Sequence, residues 1–421
     1  MAATAATTLI ADLEPRPVSY VVILADQLTW WMCDPAQRGV LDLPNIDRLR
    51  GESTEFERCY STSPLCQPAR ATLRTGLFPH SVPSGVGLVQ PVDTVEARLH
   101  ERGLATRYLG KWHLSPPLAP GTPQPSLGGF VDPANRLNWD WFVGHELSHS
   151  KFVTFVMDDP TPLSTAPWDS AVMTQYAVRM MREDAAQGRP FFLHVNYLPP
   201  HQPYDLYPPQ LAVYTKADVA QRPNVPGATG AALKDQAHYM NLLRGVDIEI
   251  GRLLDEIDLL EAEVVVIFTS DHGDMLGSQG ETFKRKPWEE ASRVPLMIRG
   301  PGWGRGRTIR YPVGLTDLAQ TLAGIGQGID LREHRDSVYY EMVAGVPAPQ
   351  KNWSGGPWRA LVTEDRWKLA IAASGQRLLY HLRDDPYELV DRAQQGLPRE
   401  AELETRMREW AAATGDGFFA S

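Results

Sequence analysis

Cys66 opens the stretch C-Q-P-A-R-A-T-L-R-T-G, with Pro68 two residues on and Arg70 four residues on. An activated thiol, or a group made from one, is a nucleophile. Ala69, Thr72 and Leu73 recur at helical spacing and Gly76 offers a stop. The pattern predicts a short helix beginning at Cys66, where unpaired amide N–H groups and the helix dipole attract an anion. Asp26 closes the run S-Y-V-V-I-L-A-D, and Asp271 and His272 close V-V-V-I-F-T-S-D-H. Carboxylate oxygens and an imidazole nitrogen together suit a divalent cation. Lys111 and His113 stand in G-K-W-H-L, and Lys284 in E-T-F-K-R-K. His201 lies in P-P-H-Q-P-Y, where flanking prolines restrict the backbone and favour a fixed imidazole. Each of these has a plain explanation when taken singly: a buried thiol, a capping acid, a solvated lysine or histidine. As a set they supply a metal edge, a cationic clamp from Arg70, Lys111 and Lys284, a nucleophile and proton carriers. That is what expulsion of a sulfate or phosphate group requires.

The elements that must position these residues are legible as periodicities. The apolar runs ending at Asp26, near Tyr197 and at Asp271 are unbroken, which predicts parallel strands buried on both faces. In open α/β sheets ligands bind outside the carboxyl ends of such strands. Residues 56–64 predict a further strand leading into Cys66. Helices are predicted over 43–49, 92–103, 171–186, 238–260 and 316–325. After about residue 335 the strand–helix alternation ends, and half-buried strands precede a final helix near 398–413. The predicted fold is α/β: a large, mostly parallel sheet flanked by helices, with a small C-terminal antiparallel sheet plus helix. Residues 1–17 are expected to form a flexible leader, 18–334 a catalytic domain and 335–421 a C-terminal α+β subdomain.

Composition narrows the function classes. The chain has 421 residues, of which 22% are charged and 43% hydrophobic, and a net charge of −10. That balance suits a soluble globular protein and argues against a general nucleic-acid binder. Three cysteines are too few for a disulfide framework. The N-terminus carries Asp12 and Glu14 where a signal peptide would be apolar, and no apolar run approaches the ~20 residues of a membrane span. A cytoplasmic protein is expected, and the Ala-, Arg-, Gly- and Pro-rich composition is compatible with a bacterial source.

The stretch around Cys66 resembles the signature of the sulfatase family, C-x-P-x-R followed by x-x-L-x-T-G. The resemblance extends through G-K-W-H-L, P-F-F-L-H-V-N-Y-L-P-P-H-Q-P-Y, S-D-H-G-D-M-L-G and W-E-E-A-S-R-V-P-L to the closing L-Y-H-L-R-D-D-P-Y-E-L. It implies an alkaline-phosphatase-like fold and hydrolysis of a small organic sulfate ester. It also implies that Cys66 is converted to formylglycine by a formylglycine-generating enzyme. Asp26, Asp271, His272 and the hydrated residue 66 would then bind Ca2+ or Mn2+. Arg70 would stabilise the hydrate, and Lys111 and Lys284 would hold the sulfate oxygens. His113 would act as base on the second hydroxyl and His201 would assist the leaving oxygen. Many sulfatases carry two consecutive acids where this chain has Asp26–Gln27, and Asn where it has His272. Both features resemble choline sulfatases and phosphonate monoester hydrolases, and both favour manganese over calcium. A phosphonate monoester or phosphodiester hydrolase on the same scaffold is therefore an alternative, as is a non-catalytic anion-binding relative with unmodified Cys66.

Two motifs stand apart. His145, Glu146 and His149 match H-E-x-x-H, which binds zinc only where one continuous helix puts both imidazoles on one face. Gly144 and the flanking serines favour a loop lining a substrate pocket instead. Trp30, Trp31, Trp139 and Trp141 suit either an aromatic pocket wall or core packing.

Overall fold

The computed structural model describes residues 18–82, 88, 92–115, 129–137, 139–146, 150–154, 161, 163–164, 168–227, 230–343, 353 and 356–420. The expected leader and His149 lie outside these residues. An eight-stranded sheet organises the chain. Its order is Arg307–Ile309, Thr54–Phe56, Leu296–Arg299, Val264–Thr269, Ser19–Asp26, Phe191–Pro200, Ala105–Lys111 and Trp141–His145. The five strands from Val264–Thr269 onward run parallel, whereas Leu296–Arg299 is antiparallel to both of its neighbours.

The unbroken apolar runs are explained by burial on both faces. Val21, Ile23 and Ala25 enter one core with the helices Pro44–Glu52, Asp169–Ala186 and Gly230–Ile257. Val22 and Leu24 enter the opposite core with Cys66–Thr75, Val95–Glu101 and Thr316–Ala323. The helices cover both faces, so the ligand-accessible margin is the carboxyl edge, where the strands ending at Asp26, Lys111, Pro200 and Thr269 deliver their loops. A register shift between Ala25 and Asp26 sets Asp26 opposite Pro200. Such a bulge re-aims the last side chain of a strand.

Three expectations are corrected. The strand over 56–64 is two short pieces, Thr54–Phe56 and Cys59–Tyr60, which belong to different sheets. The C-terminal strands Ser337–Met342, Trp358–Thr363, Trp367–Ala372 and Arg377–His381 form the antiparallel sheet foreseen, but it is buried on both faces rather than one. One face packs on Tyr60, Met275 and Trp288. The other packs on Phe78 and on Leu403 and Met407 of the helix Pro398–Thr414. The segment 141–145, expected as loop, is an edge strand in register with Arg107–Lys111.

Candidate active site

The helix Cys66–Thr75 begins at Cys66 and ends at Gly76 in the left-handed conformation, φ 68°, which glycine adopts without strain. Cys66 Sγ lies 2.8 Å from Lys284 Nζ, 3.2 Å from His272 Nε2, 3.7 Å from Lys111 Nζ and 3.9 Å from Asp26 Oδ1. His113 also hydrogen-bonds it. Burial pushes the thiol pKa up. Lys111, Lys284 and His272 outweigh that and take it well below the ordinary value.

Arg70 ties the metal-edge acids together. Its Nη2 donates to Asp26 Oδ2 at 3.0 Å and its Nε to Asp271 Oδ2 at 3.0 Å. Its Nη1 donates to the Lys111 carbonyl at 2.8 Å and to Asn196 Oδ1 at 3.1 Å. Burial opposes the guanidinium charge, but Asp271 and Asp26 more than offset it and raise its pKa. Lys111 Nζ lies 2.5 Å from Asp26 Oδ2. Burial would raise the Asp26 pKa, and the Lys111 charge with its neighbours holds it low, so the carboxylate is ionised.

The donor set suits a divalent cation. Ligand atoms of Asp26, Cys66, Asp271 and His272 all lie within 4.8 Å of one another, and all four residues are buried. His272 Nδ1 donates to the Gly273 carbonyl at 2.9 Å, which leaves Nε2 as the atom facing Cys66. An imidazole nitrogen, two carboxylates and residue 66 converge there, and a cation relieves that convergence.

Asp26, Arg70, Lys111, His113, Asp271, His272 and Lys284 thus gather around Cys66, with His201 against Lys284. Four others that sequence reasoning assigned no role also contribute. Gln27, at φ 65°, accepts from Lys284 Nζ through Oε1 at 2.8 Å and donates to Gln202 Oε1 and to Asp274 Oδ2. Tyr204 donates its hydroxyl to the same Asp274 oxygen at 2.6 Å. Asn196, with His194, is a polar residue in the buried strand Phe191–Pro200, and that was the available signal for it. Asp274 stood in plain view in S-D-H-G-D.

The H-E-x-x-H match does not form a zinc site of helical geometry. His145 ends an edge strand, and Glu146 binds Ser115 through its backbone N–H and its hydroxyl. The tryptophans pack against cationic and aromatic neighbours, and Trp30 also lines a cavity with Arg58, Glu289 and Arg293 that none of the residues around Cys66 enters. Trp30 and Trp31 are buried under Arg293 and Arg222, whose guanidinium carbons lie 3.6 and 4.3 Å from the ring centroids. Trp139 stacks on Phe192, and Trp141 lies against Tyr176.

A nucleophilic helix terminus ringed by cations at the carboxyl edge of a parallel sheet suits displacement at an anionic ester, and this sets the protein among the α/β ester hydrolases. Within them the chain belongs to the sulfatase family, hydrolases of sulfuric esters: the Sulfatase family model matches residues 19–329. It is 28% identical to the choline-sulfatase of Rhizobium meliloti, over 94% of this chain and 86% of that protein. The crystal structure of yidJ from Bacteroides fragilis superposes with a TM-score of 0.84 at 24% identity, covering 97% of this chain and 98% of that one. The phosphonate monoester hydrolase of Agrobacterium radiobacter superposes with a TM-score of 0.73 at 20% identity, covering 96% and 97%. The two structures share the fold. No helix among the described residues is long and apolar enough to cross a membrane.

Proposed function

We propose that the protein hydrolyses the sulfate ester of a small organic substrate, using formylglycine made from Cys66 and a divalent cation held by Asp26, Asp271, His272 and residue 66. The observation that carries this reading is the position of Cys66 Sγ, at a helix N-terminus and within 4 Å of Lys284, His272, Lys111 and Asp26. The cation, when bound, offsets charge on the sulfate and acidifies the hydroxyl at residue 66. The aldehyde hydrate supplies one hydroxyl for attack on sulfur and a second whose deprotonation releases sulfate by elimination.

The remaining work falls to the chain's own side chains. Lys284 and Lys111 hold the ester oxygens, and Gln27 Oε1 orients the Lys284 ammonium. Arg70 keeps Asp26 and Asp271 aimed at residue 66. His113, hydrogen-bonded to residue 66, takes the proton from the second hydroxyl. His201 commits Nδ1–H to the Gln202 carbonyl at 2.6 Å and turns Nε2 to Lys284 Nζ at 3.1 Å. Burial and the two lysines hold the imidazole pKa at about 3, so it rests neutral. His201, with Nε2 against the Lys284 ammonium, assists the departing oxygen. We assign residues 18–334 to the catalytic domain and 335–421 to the C-terminal subdomain. The two remaining thiols, Cys33 and Cys59, are buried and unpaired, which suits a reducing cytoplasm.

The imidazole donor His272 favours Mn2+ over Ca2+. With Gln27 it also keeps a phosphonate monoester hydrolase as the second reading. The test produces the protein with a formylglycine-generating enzyme, then combines peptide mass spectrometry across residue 66 with turnover of an aryl sulfate and an aryl phosphonate monoester. An aldehyde at 66 and faster sulfate turnover are expected. A plain thiol in active enzyme refutes the mechanism, and phosphonate turnover faster by orders of magnitude refutes the sulfatase assignment. An unmodified, inactive protein that binds sulfate is the non-catalytic outcome.

A further inference from the structure

Lys284 sits between two non-glycine residues in the left-handed region, Phe283 at φ 62° and Arg285 at φ 76°. Side-chain-bearing residues pay a steric cost there, and such a segment persists only where its surroundings over-determine it. Met275 N–H on the Phe283 carbonyl at 2.7 Å and Ser292 Oγ on the Lys286 carbonyl at 2.9 Å hold part of it, and the C-terminal antiparallel sheet supplies two further bonds. Trp358 Nε1 donates to the Arg285 carbonyl at 3.2 Å, and the Tyr340 hydroxyl donates to the Pro287 carbonyl at 2.9 Å. Both side chains are buried, and their rings meet edge-on at 5.8 Å.

The same sheet grips the approach to Cys66. The Glu341 N–H donates to the Thr62 carbonyl at 2.9 Å, Ser63 Oγ lies 3.9 Å from Met342 Sδ, and Tyr340 stacks on Tyr60 at 5.5 Å. One backbone bond, from Arg285 N–H to the Pro64 carbonyl at 2.9 Å, joins the two gripped segments directly. The strand Ser337–Met342 and its neighbour Trp358–Thr363 therefore touch both sides of the 2.8 Å approach between Lys284 Nζ and Cys66 Sγ.

We infer that Trp358 and Tyr340 are positioning residues: the C-terminal sheet acts as a jig that sets Lys284 against residue 66. The inference rests on Lys284 being a sulfate-binding group of the proposed reaction. It gives the C-terminal sheet a direct part in setting the site.

The test uses the full-length, aldehyde-bearing, metal-loaded enzyme in a double-mutant cycle of Trp358→Phe with Lys284→Ala, read by kcat/KM for p-nitrophenyl sulfate and by inhibition with inorganic sulfate. Tyr340→Phe, which removes one hydroxyl, runs beside it in case the smaller ring at 358 impairs folding. Melting temperature, metal content and aldehyde occupancy are matched across variants. Each single variant is expected to lose about fivefold in kcat/KM and to weaken sulfate inhibition equally, the size of one net hydrogen bond. In the Lys284→Ala background the loss falls below about twofold, because the group being positioned is gone. A full loss retained in that background, or no loss in either single variant, overturns the inference. If Lys284→Ala alone leaves kcat/KM and sulfate inhibition unchanged, it is the sulfate-binding role of Lys284 that fails.

Discussion

Replacing Arg70 by methionine tests the centre where charge and structure are most tightly joined. The guanidinium is buried and contacts Asp26 and Asp271 at 3.0 Å each. At an effective dielectric constant near 20, each contact is worth about 5.5 kcal/mol of gross Coulomb attraction. Desolvation consumes much of that, and breaking a buried pair from one side costs a net of about 3–5 kcal/mol. Lys111 still balances Asp26 in the variant, so Asp271 bears most of the loss. Unfolding entropy near 2.1 cal/mol/K per residue gives about 0.9 kcal/mol/K for 421 residues. In chelator, Arg70→Met should therefore melt about 3–6 °C below the parent protein. Divalent metal should then stabilise the variant more than the parent, because the carboxylates have lost a competing cation. At one hundred times Kd the linkage amounts to about 2.7 kcal/mol, or about 3 °C. Scanning calorimetry with chelator and across a Mn2+ titration reads both quantities. A melting temperature in chelator within about 1 °C of the parent would refute the view that Arg70 holds the two acids together. So would a gap between the proteins that widens as metal is added.

Three further outcomes follow from the structure. Glu146→Ala should leave bound metal unchanged by elemental analysis, since Glu146 is engaged with Ser115 beside a strand; loss of a zinc equivalent would reinstate the H-E-x-x-H site. Gln27→Leu should raise KM for an aryl sulfate about five- to tenfold with a smaller change in kcat, because Lys284 loses the oxygen that orients it; an unchanged KM would remove Gln27 from the site. Burial pushes the Asp416 carboxyl up, but hydrogen bonds from Arg359 and Tyr339 override it and hold its pKa at about 2. A folded pKa below the unfolded 3.8 contributes stability that is complete above 3.8 and lost as pH falls toward 2. Asp416→Asn should therefore lower the melting temperature at neutral pH and flatten its dependence between those two values. A slope as steep as the parent's would mean the carboxylate is not what acid titrates there.

Much of the site could be read from local pattern. The helical spacing after Cys66 put the nucleophile in a first turn, and the unbroken apolar runs put Asp26 and Asp271 at the ends of buried strands. Those inferences needed only the strand period, the helix period and the rule that ligands meet such sheets at the carboxyl edge. Gln27 and Asn196 were harder. Their roles depend on which atoms of distant segments face them, Lys284 for one and Arg70 for the other, and no spacing along the chain encodes that. The H-E-x-x-H match shows the reverse case, in which residue types fit a zinc motif while the backbone at His145 pairs with Lys111 as a strand instead of entering a helix.

The sequence by itself determined the residue types of the centre and the elements that carry them, because hydrophobic period and turn chemistry are local. Only the tertiary structure decided how those elements meet. The C-terminal strands read as half-buried, since alternation reports one buried face and says nothing of a second partner. Folding lays one face of that sheet against the segments bearing Cys66 and Lys284 and seals the other with a helix. The 2.8 Å separation between nucleophile and clamp is thus set by hydrogen bonds from residues more than fifty positions downstream of Lys284. Contacts of that range follow from packing of the whole chain.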